Sequence, residues 1–162
     1  MPNTFDEIDT GILTLLQQNG HLTHKDIGEK LNKSPSTIQE RVRRLQKEGY
    51  IKGYVAIIDH HKVGLGLICF THIKIKDHLH ENLSRFAEEI VKFGEVQECF
   101  KVSGEFDFIL RIAAPDLASY DDFLANVISK IVPLGNMYST FVLQEVKTGG
   151  TLPIGMPKKQ MV

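Results

Sequence analysis

Positive charge in this sequence is gathered into one short stretch. Residues 30–54 carry Lys30, Lys33, Arg41, Arg43, Arg44, Lys47 and Lys52 against Glu40 and Glu48, a net +5, whereas residues 1–29 sum to −4 and residues 55–162 to −2. Such an excess suits a surface that binds phosphates and equally suits a solvated helix, so the spacing must decide. At about 100° per residue, a helix beginning at Ser34-Pro35 brings Ile38, Val42 and Leu45 within roughly 60° of one another. Ser36, Gln39, Glu40, Arg43 and Lys47 then project from the opposite side, with Arg41 and Arg44 on the flanks. Side chains of these types reach base edges and phosphates in the major groove of double-stranded DNA. His21 and Thr23 open the preceding helix, whose free N–H groups suit a phosphate; a cap and a surface histidine would place the same residues there. The candidate DNA-facing set is therefore Thr23, Ser34, Ser36, Thr37, Gln39, Glu40, Arg41, Arg43, Arg44 and Lys47.

The second stretch with chemistry to offer is Ser103-Gly104-Glu105-Phe106-Asp107. Gly104 permits a tight turn with exposed backbone N–H groups, and Asp107 puts a carboxylate at the start of the next strand. Donors for a carboxylate beside an acid for an ammonium would suit a zwitterionic amino acid. A tight hairpin in which Asp107 bonds its own turn accounts for the same residues. Metal binding is not expected: Cys69 and His72 have C-x-x-H spacing, with His78 and His80 following, but residues three apart in a strand point to opposite faces. No G-x-S-x-G, phosphate-binding glycine loop or dinucleotide fingerprint occurs, so neither catalytic residues nor a cofactor are expected.

Three helices must position the basic stretch. The first carries Ile8, Ile12, Leu15 and Leu16 on one stripe; Thr4 and Glu7 have capping-box spacing and Gly20 offers a left-handed end. The second runs from Thr23 as N-cap to Leu31, with Gly28 suggesting a close helix crossing. The third starts at Ser34-Pro35, a serine cap followed by proline at the first helical position, and Gly49 closes it. From Tyr50 the pattern turns to β. Strands are expected at 50–58, 67–75, 96–102, 106–113 and 137–146, with helices on the Leu83–Ile90 and Leu117–Ile131 stripes. The order β-α-β-β-α-β after residue 66 is the ferredoxin-like arrangement. Two helices on one face leave the other face of the sheet bare, so a second subunit is expected against it.

The expected organisation is α+β: a helix-turn-helix over 1–50, a β linker over 51–66, a ferredoxin-like domain over 67–148 and a flexible tail over 149–162. The chain has 162 residues, 42% of them hydrophobic, enough for a core without staples. No run of apolar residues is long enough to span a membrane, and the acidic N-terminus does not read as a leader. Cys69 and Cys99 are accordingly expected to be reduced thiols in the cytoplasm.

Four stretches, in this order and spacing, resemble the Lrp/AsnC (leucine-responsive, feast/famine) family of transcription regulators over about residues 5–148. They are Ile8-Asp9-Thr10-Gly11-Ile12-Leu13, Ser34-Pro35-Ser36-Thr37-Ile38-Gln39-Glu40-Arg41-Val42-Arg43-Arg44-Leu45, Gly49-Tyr50-Ile51-Lys52-Gly53-Tyr54, and Val102-Ser103-Gly104-Glu105-Phe106-Asp107-Phe108. The resemblance implies a winged-type helix-turn-helix, a β linker pairing between subunits, and a ferredoxin-like (RAM) domain. It implies a homodimer assembling into a larger ring, commonly an octamer, and an amino-acid effector held between dimers. The effector residues so implied are Ser103, Gly104, Glu105, Phe106 and Asp107, together with Thr140, Phe141, Val142 and Leu143 of the last strand. Two alternatives share the scaffold: a sirohaem-decarboxylase-like enzyme and an architectural DNA-binding protein without an effector. The intact basic helix speaks against the enzyme.

Overall fold

A computed structural model describes residues 5–155, which divide into a unit of residues 5–57 with 147–155 and a unit of residues 58–146. In the first, α1 (Glu7–Gln18), α2 (His24–Leu31) and α3 (Pro35–Lys47) enclose a core of Ile12, Leu13, Ile27, Ile38, Val42 and Leu45. Asp6, not Thr4, caps α1, and its box partner is Asp9; Thr4 lies outside the described residues. An aspartate at N3 closes the box as a glutamate would, so the motif starts two residues later than expected. The α1 end also differs: Asn19 is extended and Gly20 does not take a positive φ.

The left-handed residue falls instead at Asn32 (φ 53°), which ends α2 and lets the chain double back. That return explains Gly28. A Cβ there would sit 2.6 Å from the Lys33 carbonyl oxygen, so the close approach is to the turn's backbone. Thr23 caps α2 in a box with Asp26, and Ser34 with Pro35 starts α3, as the sequence predicts. At its far end Gly49 takes φ 79°, and the N–H of Tyr50 donates to the Leu45 carbonyl (2.9 Å).

Residues 51–66 form no strand, although their β-branched and aromatic pattern predicts one. Val55 and Ile57 are almost wholly exposed; a lone extended segment has no ladder to join. The expected tail also behaves differently where it is described. Leu152 exchanges two hydrogen bonds with the Gln17 amide, and Ile154 packs on the helical core. Residues 156–162 lie outside the described range.

The second unit runs β1 (Leu67–Ile75), α4 (His80–Ile90), β2 (Val96–Lys101), β3 (Phe108–Ala114), α5 (Leu117–Phe123), a π-helical stretch (Leu124–Ile128), α6 (Ser129–Ile131) and β4 (Leu134–Phe141). The antiparallel order β2-β3-β1-β4 is the ferredoxin-like one. Cys69, Ile73, Ile75, Phe108, Leu110 and Ile112 belong to the core that also holds Phe86, Ile90, Tyr120 and Ile128 of the helices. Thr71 is the one buried polar side chain of β1. Its hydroxyl meets that of Tyr120 (2.7 Å), which in turn meets Ser139, so the chain of hydroxyls is satisfied. Burial first, and then the neighbouring Cys69 thiol, push the Tyr120 hydroxyl up to about 12, against the opposing hydrogen bonds of Ser139 and Thr71. β4 starts and ends earlier than the sequence predicts. Its last bond to β1 runs from the Val142 N–H to the Ile68 carbonyl, where β1 itself begins, so no partner remains for residues 143–146. Both cysteines are free, and burial raises the Cys99 thiol.

Candidate nucleic-acid interface and ligand site

The face of α3 opposite its core stripe carries the exposed side chains of Ser36, Gln39, Glu40, Arg43 and Lys47. Ser34, also exposed, anchors the start of the helix: its Oγ accepts the Thr37 N–H (3.2 Å) and lies 2.8 Å from the Thr37 hydroxyl and 3.0 Å from that of Ser36. Three hydroxyls thus cluster at an N-terminus where backbone N–H groups point outward. Thr23, at the start of α2, spends its hydroxyl on Asp26 (2.6 Å). Gln46, one turn beyond Arg43, is exposed on the same side and is absent from the sequence-derived set; the i, i+3 spacing from Arg43 is the signal that points to it.

Arg41 and Arg44, on the flanks of that face where the sequence places them, turn their guanidinium groups onto α1. Arg41 reaches both carboxylate oxygens of Asp6 (2.8 Å each) and Asp9 (3.0 Å), and Arg44 pairs with Asp9 through its terminal nitrogen. The Asp9 side chain is 0% exposed, and those of Arg44 and Arg41 are 15% and 25%. Burial opposes charge on Asp6, but the Asp9 N–H and Arg41 outweigh it and hold the carboxyl below its usual value; the Asp6 pairing likewise raises Arg41. Arg44 Nε is buried without a partner, so this network is compact but not fully satisfied.

The turn at residues 103–107 sits at the end of the β2–β3 hairpin, with Gly104 at φ 117°. Ser103, Gly104 and Glu105 are exposed, and among the described residues none of their N–H groups donates to the protein. Asp107 is buried, and although its backbone carbonyl accepts the Val102 N–H across the turn (2.9 Å), its side chain reaches away from it. Its Oδ2 accepts the Ile75 N–H (2.8 Å) at the far end of β1, and its Oδ1 faces His78 Nε2 (3.1 Å). Phe106 packs beside the His72 ring, with centroids 5.4 Å apart, and lines a shallow depression with Lys101, Val102 and Ile109.

The last-strand residues are elsewhere. Phe141 pairs with Cys69 and Thr140 with Phe70, whereas the turn adjoins the Ile73–Phe108 pair. Four residues of strand separate these positions, about 13 Å at the usual rise. One chain therefore does not bring Thr140, Phe141, Val142 and Leu143 together with residues 103–107. No group of three or more His, Cys, Asp or Glu among the described residues could hold a metal ion.

Residues 5–52 match the winged helix-turn-helix DNA-binding family, and residues 68–152 match the Lrp/AsnC ligand binding domain. The leucine-responsive regulatory proteins of Klebsiella pneumoniae and Escherichia coli K12 are each 32% identical over 149 residues, 92% of this chain and 91% of theirs. A transcriptional regulator of Neisseria meningitidis, solved as its L-Met complex, superposes with a TM-score of 0.87 at 31% identity, covering 93% of this chain and 97% of that one. An AsnC family transcriptional regulator of Agrobacterium tumefaciens gives 0.85 at 32% identity, covering 91% and 96%. A winged helix-turn-helix followed by an Lrp/AsnC ligand binding domain, in a chain that matches regulatory proteins over nine-tenths of its length, defines a DNA-binding transcription regulator. The chain belongs to the Lrp/AsnC family.

Proposed function

We propose that this regulator reads double-stranded DNA with the exposed face of α3 and answers to an amino acid bound at the Gly104–Asp107 turn. DNA contact falls to Thr23, Ser34, Ser36, Thr37, Gln39, Glu40, Arg43 and Lys47, with Arg43 the most telling residue. The single observation that carries this part is an uninterrupted polar and basic face on a helix whose other side buries Ile38, Val42 and Leu45. Such a protein works in the cytoplasm, beside the DNA.

In the effector site the carboxylate of the amino acid lies on the open N–H groups of the turn, and its ammonium takes the place of His78 on Asp107 Oδ1. His78 is 60% exposed on its side chain, so it leaves into water at little cost. Thr140, Phe141, Val142 and Leu143 enter the site from another subunit, since their own chain holds them at the other end of the sheet. The methionine complex of the Neisseria regulator supports an amino-acid ligand. Dimers assembling into a larger ring, an octamer by the family's habit, supply those neighbours; the bare sheet face bearing Phe70, His72, Phe100 and Tyr138 supports the pairing.

A thermal-shift screen of the twenty amino acids tests the effector. Any ligand of the native state raises the melting temperature. One or a few amino acids are expected to do so at millimolar concentration, and a flat response across all twenty would remove the effector from the account.

A further inference from the structure

The four cations of α3 look alike in the sequence, yet the fold treats them as two pairs. Arg43 and Lys47 are exposed and form no ion pair among the described residues. Arg41 and Arg44 are turned the other way, onto Asp6 and Asp9 at the N-terminus of α1. We infer that Asp6 and Asp9 are positioning residues that withhold Arg41 and Arg44 from DNA phosphates and use them to clamp the reading helix to α1. This rests on α3 being the DNA-facing helix.

The clamp is built from both ends. Asp6 and Asp9 cap one another's backbone N–H groups, at 3.0 and 3.1 Å, so their carboxylates are fixed before any arginine arrives. Arg41 and Arg44 lie three residues apart, on neighbouring turns of one flank of α3, and both reach Asp9. A carboxylate with no exposed surface tolerates its charge only with such partners, so releasing either arginine to a phosphate would leave the Asp9 charge with one cation in place of two. The phosphate-binding charge of α3 is therefore carried by Arg43 and Lys47. Arg41 and Arg44 set the tilt and depth at which that face is held.

Salt dependence separates the two roles, because every cation that neutralises a phosphate steepens the fall of log K with log salt by about 0.9. The full-length protein is titrated with one fixed mixed-sequence duplex at several KCl concentrations. The double variant Arg43→Gln/Lys47→Gln is expected to flatten the slope by about 0.9 for each of the two cations that sits on a phosphate, with an unchanged melting temperature. Arg41→Gln should lower the melting temperature and weaken binding by the same factor at every salt, leaving the slope as it was. Arg44→Gln leaves the buried Asp9 carboxylate to Arg41 alone; where it does not fold, Asp9→Asn/Arg44→Gln removes both charges together and should also keep the slope. A slope flattened as much by Arg41→Gln as by Arg43→Gln would overturn the inference while leaving α3 as the reader. A slope unmoved by all of these variants would overturn the reading of α3, and the inference with it.

Discussion

Asp107 offers two roles that one pair of substitutions separates. Its Oδ2 is the acceptor for the N–H of Ile75, a residue with no exposed surface. Removing the carboxylate leaves that N–H buried without a partner, a cost of about 1–3 kcal/mol. For a unit the size of residues 58–146, each kcal/mol lowers the melting temperature by roughly 4–8 °C, so Asp107→Ala should melt about 4–24 °C lower. Asp107→Asn keeps an oxygen for Ile75 and loses only the charge, so it should melt within a few degrees of the parent. The same variant has no anion for an amino-acid ammonium. A ligand at about a hundred times its Kd stabilises the parent by about 2.7 kcal/mol, and that shift should vanish in Asp107→Asn. Scanning fluorimetry with and without the active amino acid measures both effects. Asp107→Ala melting with the parent would refute the structural role, and an undiminished ligand shift in Asp107→Asn would refute the ammonium site.

Gly28→Ala should destabilise the helical unit by about 1–3 kcal/mol, because the added methyl meets the Lys33 carbonyl and not a movable side chain; an unchanged denaturation midpoint would contradict that packing. The Asp6 carboxyl is held below its ordinary value, and the Thr23 hydroxyl and N–H hold Asp26 there too. Lowered folded-state values mean that their stabilisation is present above the ordinary carboxylate range and is lost as pH falls through the lowered values, so the melting temperature should drop as pH is taken from about 5 towards 2. Light scattering at micromolar concentration should give at least twice the 18.3 kDa of one chain; a monomer mass would contradict a covered sheet face.

The parts of this molecule legible in its sequence are those fixed by local chemistry. Ser34-Pro35 starts α3, Thr23 with Asp26 starts α2, and the Ile38–Val42–Leu45 stripe is buried, because caps and helical periodicity involve residues a few positions apart. The features that escape such a reading depend on distant partners. A helical wheel puts Arg41 and Arg44 on the flanks of α3 and is silent about the carboxylates 32 and 35 residues earlier that turn them inward. Asp107 meets Ile75 across 32 residues, where the sequence suggests a ligand ammonium or a local turn. The β-rich pattern at 50–58 asks for a partner that the chain does not provide to itself, and β4 stops where β1 runs out. Gly49 takes the positive φ expected of it and Gly20 does not, since composition alone does not say which of two candidates adopts it.

The most direct test of the account is a footprint on the DNA upstream of the protein's own gene, run with the parent and with folded Arg43→Ala, each with and without the amino acid that the thermal screen selects. The account predicts protected segments spaced by about one helical turn or its multiples, as for paired half-sites, weakened by Arg43→Ala and altered in extent or affinity by the amino acid. Protection of the same strength and pattern by parent and Arg43→Ala, unaffected by the ligand, would contradict it.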